Sequence, residues 1–479
     1  MVMPDPVHSP TPAGTTAPLR AGTGAPLVVA SNRGPLSFRF GAGGTPEQAG
    51  TAGGLAGSLH DLVAGSGATW VACAMSDADR AAVDAGLMRE DGLRIVAVTS
   101  DPDEYAMAYD MVSNATLWFA HHHLFDLTRR PVFDHRWHRA WSAFRSFNEQ
   151  FAERIASEAA DGAVVLVQDY HLALVPAMVR DLRADLAVVH FSHTPFADPG
   201  VLRVLPDRAG GELLAGMAGA AACGFHTRRW AAAFESCCED LGVRAPRTFA
   251  SPLSPDTGRL LARAGSPACT AAGERLAEAL GDRQMVVRVD RVEPSKNLVR
   301  GFLAFDDLLE RHPEHRGSVV FVAFAYASRQ GLAEYLAYRT EVEQAAALVN
   351  ERWATPGWTP VVLDIADDPD RSLAALAHAD VVVVNPLRDG LNLVAKEGPI
   401  VNRRDGVLVL SREAGAHDEL AGAALSVNPY DVAATADALH RALTMPAPER
   451  AERAAALRDA VTGRPPQRWL ADQIGAAAG

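Results

Sequence analysis

Short apolar runs rich in β-branched residues alternate with helix-like segments along most of this chain, and this alternation restricts the fold more than any other feature. The runs lie at residues 26–30, 69–73, 164–167, 187–191, 285–289, 318–323, 360–363, 381–384 and 407–410. Segments with helical periodicity lie between most of them, such as residues 137–159 and 298–311. Alternation of strands and helices predicts parallel sheets that are covered by helices on both faces. The sequence therefore predicts an α/β fold.

The length of the chain and one irregular segment predict two domains. At 479 residues the chain is too long for one hydrophobic core, so two doubly wound domains of roughly 200 residues each are expected. A segment rich in Pro, Ser and Arg, residues 245–267, divides the apolar runs into two sets. The predicted limits are 1–25 for a disordered leader, 26–250 for the N-terminal domain, 251–450 for the C-terminal domain and 451–479 for a helical tail that returns to the N-terminal domain.

The charge and the cysteine content disfavour several classes of function. A net charge of −13 argues against nucleic acid or an anionic membrane as the main partner. The five cysteines form no C-x-x-C pair, which is typical of reduced thiols in a cytosolic protein. No apolar run is long enough to span a membrane, and residues 1–25 contain no hydrophobic segment of a signal peptide. The sequence therefore predicts a cytoplasmic protein.

The segment 385–397, Asn-Pro-Leu-Arg-Asp-Gly-Leu-Asn-Leu-Val-Ala-Lys-Glu, concentrates polar residues at the end of a strand. It directly follows the buried run 381–384 and leads into a helix. Ligands of open α/β sheets bind at such carboxyl ends, where the N–H groups of the first helical turn attract anions. Asp389 could accept hydrogen bonds from hydroxyls, and Glu397 lies near enough to reach a ribose. We interpret this segment as a binding site rather than a solvated loop.

Charged and polar residues also end other predicted strands. Arg291 and Lys296 lie five residues apart around a proline turn, and Arg329 follows the next strand as a possible phosphate clamp. Two positive charges at a sheet edge suit a departing diphosphate, although a surface loop with solvated charges is an equal alternative for the pair by itself. Asp169 and His193 end neighbouring strands and could orient a hydroxyl, although Asp169 could equally cap a helix.

Several other chemistries lack support in the sequence. The glycine-rich loop at residues 51–55 does not have the G-x-G-x-x-G spacing of a nicotinamide-binding turn. The consecutive histidines 121–123 cannot all face one metal ion. The sequence also contains neither a G-x-S-x-G nucleophile turn nor a P-loop. We therefore predict no cofactor and no metal.

The order and the residues of a series of motifs along the chain resemble those of the trehalose-6-phosphate synthases, which are retaining glycosyltransferases of family 20. The matching blocks extend over roughly residues 27–446 and lie at 31–33, 53–55, 109, 113–118, 169–172, 193–196, 224–227, 291, 295–296, 328–329, 386–397 and 427–430. The resemblance implies a GT-B fold, in which two Rossmann-like domains face each other across a cleft. The N-terminal domain would bind the acceptor and the C-terminal domain the nucleotide sugar.

The resemblance implies transfer of glucose from UDP-glucose or GDP-glucose to glucose 6-phosphate, forming α,α-trehalose 6-phosphate with retention and without a metal. The residues implied in catalysis are Arg291, Lys296, Asp169 and His193. Those implied in donor binding are Gly54, Asp389, Leu391, Asn392, Leu393, Val394 and Glu397. Those implied in acceptor binding are Arg33, Tyr109, Trp118 and Arg329. The implied mechanism is a front-face displacement, in which the leaving phosphate oxygen takes the proton of the acceptor.

The chain also departs from the family pattern, mainly near the donor side. Glu293-Pro294 replaces the usual aspartate-tyrosine, and Asn297 replaces a glycine. Gly398-Pro399 is expected to end the last helix of the motif just after Glu397, because proline removes a backbone donor. These changes leave the donor nucleotide open.

Proteins that share these motifs could have other functions, and these are the alternatives. A related enzyme could use another acceptor, as a glucosylglycerol-phosphate synthase or a cyclitol-coupling pseudo-glycosyltransferase does, and an inactive regulatory subunit could only bind sugar phosphates. The acceptor residues named above favour glucose 6-phosphate, and the donor residues favour an active enzyme. The resemblance is compatible with a homodimer or a homotetramer.

Overall fold

The computed structural model describes residues 26–51, 54–329 and 331–478. The predicted leader, residues 1–25, lies outside the described residues.

Parallel strands form the sheet of the first half of the chain. The strands are β1 Leu27–Arg33, β2 Leu36–Phe40, β3 Pro46–Thr51, β4 Thr69–Cys73, β5 Arg94–Val98, β6 Val164–Gln168, β7 Ala187–Ser192, β8 Ala222–Phe225 and β9 Arg247–Ala250. The sheet has the order β5-β4-β1-β6-β7-β8-β9, and β2 and β3 form an antiparallel hairpin. The strand order reverses at β1, which places the end of this strand next to the end of β6.

Helices connect these strands. They are α1 Gly54–Val63, α2 Asp77–Asp84, α3 Pro102–Ala106, α4 Trp118–His121, α5 His135–Glu158, α6 Val175–Leu182, α7 Pro199–Leu202, α8 Asp207–Ala218 and α9 Arg228–Asp240. A π-helical segment, Met107–Leu117, joins α3 to α4, and a 3-10 turn, Tyr170–Leu172, follows β6.

The second half repeats this architecture. Its strands are β10 Gln284–Arg291, β11 Val319–Tyr326, β12 Val361–Asp364, β13 Val381–Val384, β14 Val407–Ser411 and β15 Leu425–Val427, in the sheet order β12-β11-β10-β13-β14-β15. Its helices are α10 Thr257–Ala264, α11 Pro267–Leu280, α12 Leu298–Arg311, α13 Ala333–Trp353, α14 Pro369–His378, α15 Val394–Val401, α16 His417–Leu420 and α17 Val432–Thr444. Short 3-10 turns lie at Pro294–Lys296 and Pro313–His315.

Burial of both sheet faces explains why the strands are continuously apolar. Along β1, Val28 and Ala30 belong to one hydrophobic cluster and Val29 belongs to another, because successive side chains of a strand point to opposite faces. The four residues Val381–Val384 of β13 are all buried in the same way. All nine predicted runs are strands of parallel sheets, so the predicted fold class is confirmed. The prediction missed β5, β8, β9 and β15, which are short or only partly buried.

The last two helices pack on different halves of the molecule. Helix α18, Ala447–Thr462, lies against α15 and α16, and its Leu457 is buried in the second core. Helix α19, Pro466–Ala477, instead contacts β6 and β7, and its Trp469 is buried beside Phe191 of the first core. The predicted domain limits themselves stay a prediction. Within the described residues, we find no helix with the length and apolar character needed to cross a membrane.

Candidate active site

Loops that follow strands of the two sheets meet across a cleft. Gly390, after β13, packs so closely on the first half that a β carbon there would lie 1.9 Å from the carbonyl oxygen of His193, after β7. Arg329, after β11, donates from Nε to Oδ1 of Asn114 in the π-helical segment at 2.9 Å. Carboxyl ends of parallel strands are where open α/β sheets bind ligands. The cleft is therefore the candidate active site.

Lys296 and Asp389 form an ion pair on the second-half side of this cleft. They follow β10 and β13, which are neighbours in the sheet, and Lys296 Nζ lies 2.5 Å from Asp389 Oδ2. Asn392 Nδ2 donates to the same oxygen at 3.1 Å. Burial raises the pKa of the Asp389 carboxyl, but the charge and hydrogen bond of Lys296, with smaller contributions from His122 and Asn392, together outweigh burial and hold that pKa below its usual range. The pair therefore stays ionised, and the described residues offer no donor to Asp389 Oδ1, which could receive a hydroxyl.

The start of α15 presents backbone N–H groups to the same space. The N–H groups of residues 391–394 have no acceptor in the described part of the chain, and the N-cap residue Leu393 has no side chain that can accept. Asn392 adopts a left-handed backbone conformation (φ 80°), and its Oδ1 accepts from the N–H of Ala395 at 3.1 Å. Free N–H groups at a helix start bind anions. This segment suits a diphosphate, as predicted for Leu391, Asn392, Leu393 and Val394.

Helix α15 continues beyond the predicted end. The expectation that Gly398-Pro399 ends it just after Glu397 is wrong, because the helix includes Pro399 and ends at Val401. Ile400 and Val401 are buried in the second core, and this burial offsets the one backbone hydrogen bond that proline removes. Glu397 is partly buried on this helix, and burial raises the pKa of its carboxyl. Its contact with a ribose stays a prediction.

Glu293 joins two arginines at the centre of the cleft. Its Oε1 accepts from Arg329 at 2.8 Å and lies 3.2 Å from Nε of Arg291, while Ser328 Oγ donates to it at 2.8 Å. Burial would raise the pKa of this carboxyl, but the charges of Arg291, Arg329 and Lys296 outweigh burial and lower the pKa to about 2. The carboxylate thus offsets the repulsion between neighbouring guanidinium groups. The side chain of Arg291 remains 43% exposed and accessible to a ligand.

Trp118 forms one wall of the cleft beneath Arg329. The guanidinium carbon of Arg329 lies 3.9 Å from the centre of the Trp118 ring, and that of Arg291 lies 5.9 Å from it. A guanidinium over an indole face is held by cation–π attraction. Within the described residues, the buried Nε1 of Trp118 and Nδ2 of Asn114 have no hydrogen-bond partner. These two donors are available to a polar ligand beside the arginines.

An aromatic series extends from Trp118 along the first-half side. The Trp118 ring contacts Tyr170 at 6.0 Å between centroids, Tyr170 stacks on His171 at 4.0 Å, and His171 stacks on Tyr109 at 5.7 Å. Arg33 lies at the exposed end of β1. The structure therefore brings Tyr109 and Trp118 to the same wall. The predicted contacts of these side chains and of Arg33 with an acceptor stay predictions.

Asp169 occupies a strained position at the end of β6. It has a positive φ of 70°, and its Oδ1 accepts from the backbone N–H of His193 at 3.1 Å. Its side chain therefore does not cap the following turn, which was the alternative interpretation. Burial raises the pKa of the Asp169 carboxyl to about 6, against the opposing effect of backbone N–H groups and of Arg329.

Hydrogen bonds engage both ring nitrogens of His193. Nδ1 lies 3.1 Å from His226 Nε2, and Nε2 lies 3.0 Å from Gln168 Oε1. Gln168 Nε2 donates to Gln473 Oε1 on α19 at 2.9 Å, and His226 Nδ1 accepts from the Leu253 N–H at 3.4 Å. We assign the proton of His193 to Nε2, because Gln168 Oε1 can only accept. Burial lowers the pKa of His193 well below its usual value, so the ring is neutral and is not free to act as a base.

Sequence reasoning missed several residues of this arrangement. Glu293 was noted only as a departure, and Gln473 carried no sequence signal at all. Arg388 lies within the predicted motif and reaches across to the first half: it donates to the Phe196 carbonyl at 2.8 Å and lies over the Trp230 ring at 4.7 Å. Gly54 begins α1, but its contacts lie outside the described residues, so its approach to a donor phosphate stays a prediction.

Comparison with known proteins identifies relatives over the whole described chain. The model of the family named glycosyltransferase family 20 matches residues 26–478. A trehalose-6-phosphate synthase of Mycolicibacterium vanbaalenii is 33% identical over 482 residues, covering 95% of this chain and 96% of that protein. A bifunctional trehalose-6-phosphate synthase/phosphatase of Thermoproteus tenax is 34% identical over 402 residues. That alignment covers 81% of this chain but only 54% of the bifunctional protein.

A solved structure shares the fold. The structure is that of an alpha,alpha-trehalose-phosphate synthase (UDP-forming) from Burkholderia xenovorans in complex with glucose-6-phosphate. It superposes with a TM-score of 0.82 at 26% identity, covering 95% of this chain and all of the other.

Proposed function

Because the chain belongs to glycosyltransferase family 20, we propose that it transfers glucose from a nucleoside diphosphate glucose to glucose 6-phosphate, forming α,α-trehalose 6-phosphate with retention. The Mycolicibacterium relative is a trehalose-6-phosphate synthase, which supports this product. The Burkholderia enzyme is UDP-forming and is in complex with glucose-6-phosphate, which supports UDP-glucose as donor and this acceptor.

The observation that carries the proposal is the shared carboxylate of Glu293. It pairs with Arg291, beside the Lys296–Asp389 pair, and with Arg329, stacked on Trp118. Two cationic subsites therefore adjoin each other without strong repulsion. A transfer between a diphosphate sugar and a sugar phosphate needs two such subsites, because each substrate carries its own anionic phosphate groups.

The donor subsite stabilises the leaving diphosphate. Charge develops on its oxygens as the bond to C1 of glucose breaks, and Arg291, Lys296 and the N–H groups of residues 391–394 are placed to receive that charge. Asp389, oriented by Lys296, accepts hydroxyl hydrogen bonds from the donor glucose. Charge stabilisation and positioning therefore supply the catalysis.

The acceptor oxygen forms its bond to C1 on the face from which the diphosphate leaves, so the configuration is retained. Asp169 orients the acceptor hydroxyl, and the departing phosphate oxygen takes its proton. The engaged ring of His193 supports this route, because the ring has no free nitrogen to accept that proton. His193 then contributes by contact and by the N–H that holds Asp169.

The positive charges around the leaving group are side chains and backbone dipoles, so the proposed reaction needs neither a metal at the reacting atoms nor a cofactor. We also propose a cytoplasmic location, which is supported by the five free, buried cysteines. We also propose that the protein is a homodimer or a homotetramer, and light scattering, which measures the mass of the assembly, distinguishes the two.

The test is to incubate the purified protein with glucose 6-phosphate and either UDP-glucose or GDP-glucose, and to measure trehalose 6-phosphate. We expect product, with the larger kcat/KM for UDP-glucose. Arg291→Ala should lower kcat by about 10²–10³-fold, the usual effect of removing a group that stabilises developing charge. Arg339→Ala is the matched control, because Arg339 lies on α13 and, among the residues that the structure describes, forms an ion pair with Glu343 of the same helix alone.

Absence of product with both donors, together with tight sugar-phosphate binding, would support the regulatory alternative instead. Product formation with glycerol 3-phosphate but not with glucose 6-phosphate would support the other acceptor class. Undiminished turnover of Arg291→Ala would contradict the assigned role of this arginine.

A further inference from the structure

A second group of polar side chains lies away from the cleft, at the far ends of α12 and α17. His312 directly follows α12, Glu314 and His315 lie in the 3-10 turn Pro313–His315, and His440 lies on α17. More than 120 residues separate His440 from the other three in the sequence, yet packing brings them into contact. Nothing in the proposed reaction uses these residues.

The potential ligand atoms of three of these residues converge. His312 Nδ1 lies 3.1 Å from Glu314 Oε1, and His440 Nδ1 lies 3.9 Å from the same oxygen. One ligand atom from each residue lies within 4.8 Å of the others. A tetrahedral Zn²⁺ ion with bonds of about 2.0–2.1 Å holds its ligand atoms roughly 3.3 Å apart. The ligand atoms are therefore close enough to share one ion once one of the two stacked imidazole rings turns to point its nitrogen at that ion.

Packing brings the rings of this group together, although the lone pair of an imidazole nitrogen lies in the ring plane and one of the stacked rings has to turn to bind the ion. The His312 and His440 rings are parallel within 12° at 3.6 Å between centroids. His315 is buried, and its Nε2 lies 3.0 Å from His440 Nδ1. The side chains of His312 and His440 are 24% and 31% exposed, so an ion from solvent has access to them.

We propose that His312, Glu314 and His440 bind one divalent transition-metal ion, with Zn²⁺ as the best match, and that His315 supplies the fourth ligand. Two or three imidazoles and one carboxylate suit Zn²⁺ and exclude Mg²⁺ and Ca²⁺, which prefer oxygen ligands. A hydrogen-bonded histidine cluster without an ion is the competing interpretation of the same contacts.

The ion would fasten α12 to α17. Arg311 already links the two helices, through Asp437 at 2.6 Å and the Ala433 carbonyl at 3.2 Å. At the opposite ends, Asn297 donates from Nδ2 to the Pro429 carbonyl at 2.8 Å, just before each helix begins. The metal would complete a pair of helices tied at both ends. It would act on stability and not at the reacting atoms.

The experiment uses full-length protein dialysed against a chelator and then titrated with Zn²⁺ by calorimetry. We expect one ion per chain with a Kd below about 1 μM, and a rise in Tm that grows with free Zn²⁺ because the ion binds only the folded state. His440→Ala and His312→Ala should each weaken binding by about 100-fold or more, since loss of even a supporting residue costs 10–100-fold. His138→Ala, an exposed histidine of α5, is the matched control.

The visible absorption of bound Co²⁺ tests the site in the wild-type protein, without an activity assay and without relying on a variant that folds. Co²⁺ bound to the wild-type protein should give the intense visible absorption of four-coordinate cobalt, and Zn²⁺ should displace it. His315→Ala should weaken this absorption if His315 is the fourth ligand. A Kd above about 100 μM, equal binding by wild type and His440→Ala, or six-coordinate cobalt absorption would each overturn the site. Stoichiometric binding without any rise in Tm would overturn the fastening role.

Discussion

The protonation state of Asp169 depends on its surroundings. It lies among buried groups at the end of β6, and burial raises the pKa of its carboxyl to about 6. The raised pKa means that the folded protein holds this proton more tightly than the unfolded chain. Protonation therefore favours the folded state below pH 4, and that contribution is lost as the pH rises through about 6. The buried carboxylate therefore lowers the stability of the folded protein above about pH 6, where Asp169 is ionised.

This pKa predicts the acid side of the rate profile. Only ionised Asp169 can accept a hydrogen bond from the acceptor hydroxyl through both oxygens, so kcat/KM for glucose 6-phosphate should fall as the pH drops below about 6. The phosphate of glucose 6-phosphate also titrates with a pKa of about 6, so a second protonation steepens the fall of kcat/KM on the acid side of the profile. The amide of Asp169→Asn does not titrate, so the fall of kcat/KM in this variant should come only from titration of the substrate phosphate. Equal slopes of log kcat/KM for both proteins would contradict the prediction.

For single residues, the sequence predicted several side chains of the candidate site but not their partners. Arg291, Lys296 and Asp389 were predicted from strand ends, and the structure pairs Lys296 with Asp389 and brings the charge of Arg291 near Lys296. Glu293, the partner of Arg291, was not predicted, because its importance arises from its contact with Arg329, 36 residues away. Whether a carboxylate is solvated or buried between two arginines depends on the fold and not on the neighbouring sequence.

Among the secondary-structure elements, α12 begins with an unusual residue. Asn297 has a left-handed backbone (φ 61°), where the family pattern has glycine, and it is buried. Its Nδ2 donates to the carbonyls of Asn385 and Pro429 at 3.0 and 2.8 Å. Asn tolerates this conformation better than other residues with a β carbon. The side chain therefore connects three loops that frame the donor subsite.

Asn297→Ala should lower the free energy of unfolding by about 2–4 kcal/mol, since three side-chain hydrogen bonds are lost, including the one that Asn297 Oδ1 accepts from Arg300, and alanine disfavours the left-handed backbone. Asn297→Gly loses the same hydrogen bonds without the backbone strain, so its loss should be smaller by about 1 kcal/mol. Urea titration monitored by circular dichroism measures both. A larger loss for glycine than for alanine would contradict this account of the position.

Helix α19 packs against β6 and β7, the strands whose ends carry Asp169 and His193 of the candidate site. Gln473 is fully buried, and through Gln168 it holds the ring of His193. Gln473→Leu should leave the Gln168 amide without its acceptor and lower kcat by about 10-fold, while KM for both substrates changes little. Gln467→Leu, on an exposed face of the same helix, should leave kcat unchanged. A rise in KM with an unchanged kcat would indicate a purely structural role for Gln473.

On the scale of the whole molecule, the two halves are in contact where the chemistry is proposed. Trp230 Nε1 donates to the Gly390 carbonyl at 3.0 Å, and Arg388 donates to the Phe196 carbonyl. Gly390 lies directly against the carbonyl of His193. Only glycine fits such an approach of two backbones. The loops of the two halves are therefore in direct contact beside the cleft, and we call this the closed arrangement.

Gly390→Ala should hold the halves apart, because the new β carbon would lie 1.9 Å from the His193 oxygen. We expect kcat to fall by about 100-fold or more and the radius of gyration in small-angle scattering to increase, since small displacements of reacting groups cost this much. Gly422→Ala is the control, because a β carbon at that position would meet no heavy atom within 4 Å and the φ of Gly422 is not positive. Normal activity with unchanged scattering would contradict the closed arrangement as the active one.

The sequence by itself determined nine of the strands, the fold class and the positions of most strand-end residues, because apolar runs and helical periodicity are local properties. It also predicted that Gly398-Pro399 would end α15, and this failed because burial of Ile400 and Val401 outweighs a local preference. Only the tertiary structure decided that Gln473 supports His193 through a contact between residues 305 positions apart. It likewise brought His440 to His312, because packing of distant segments, and not their composition, determines which side chains share one environment.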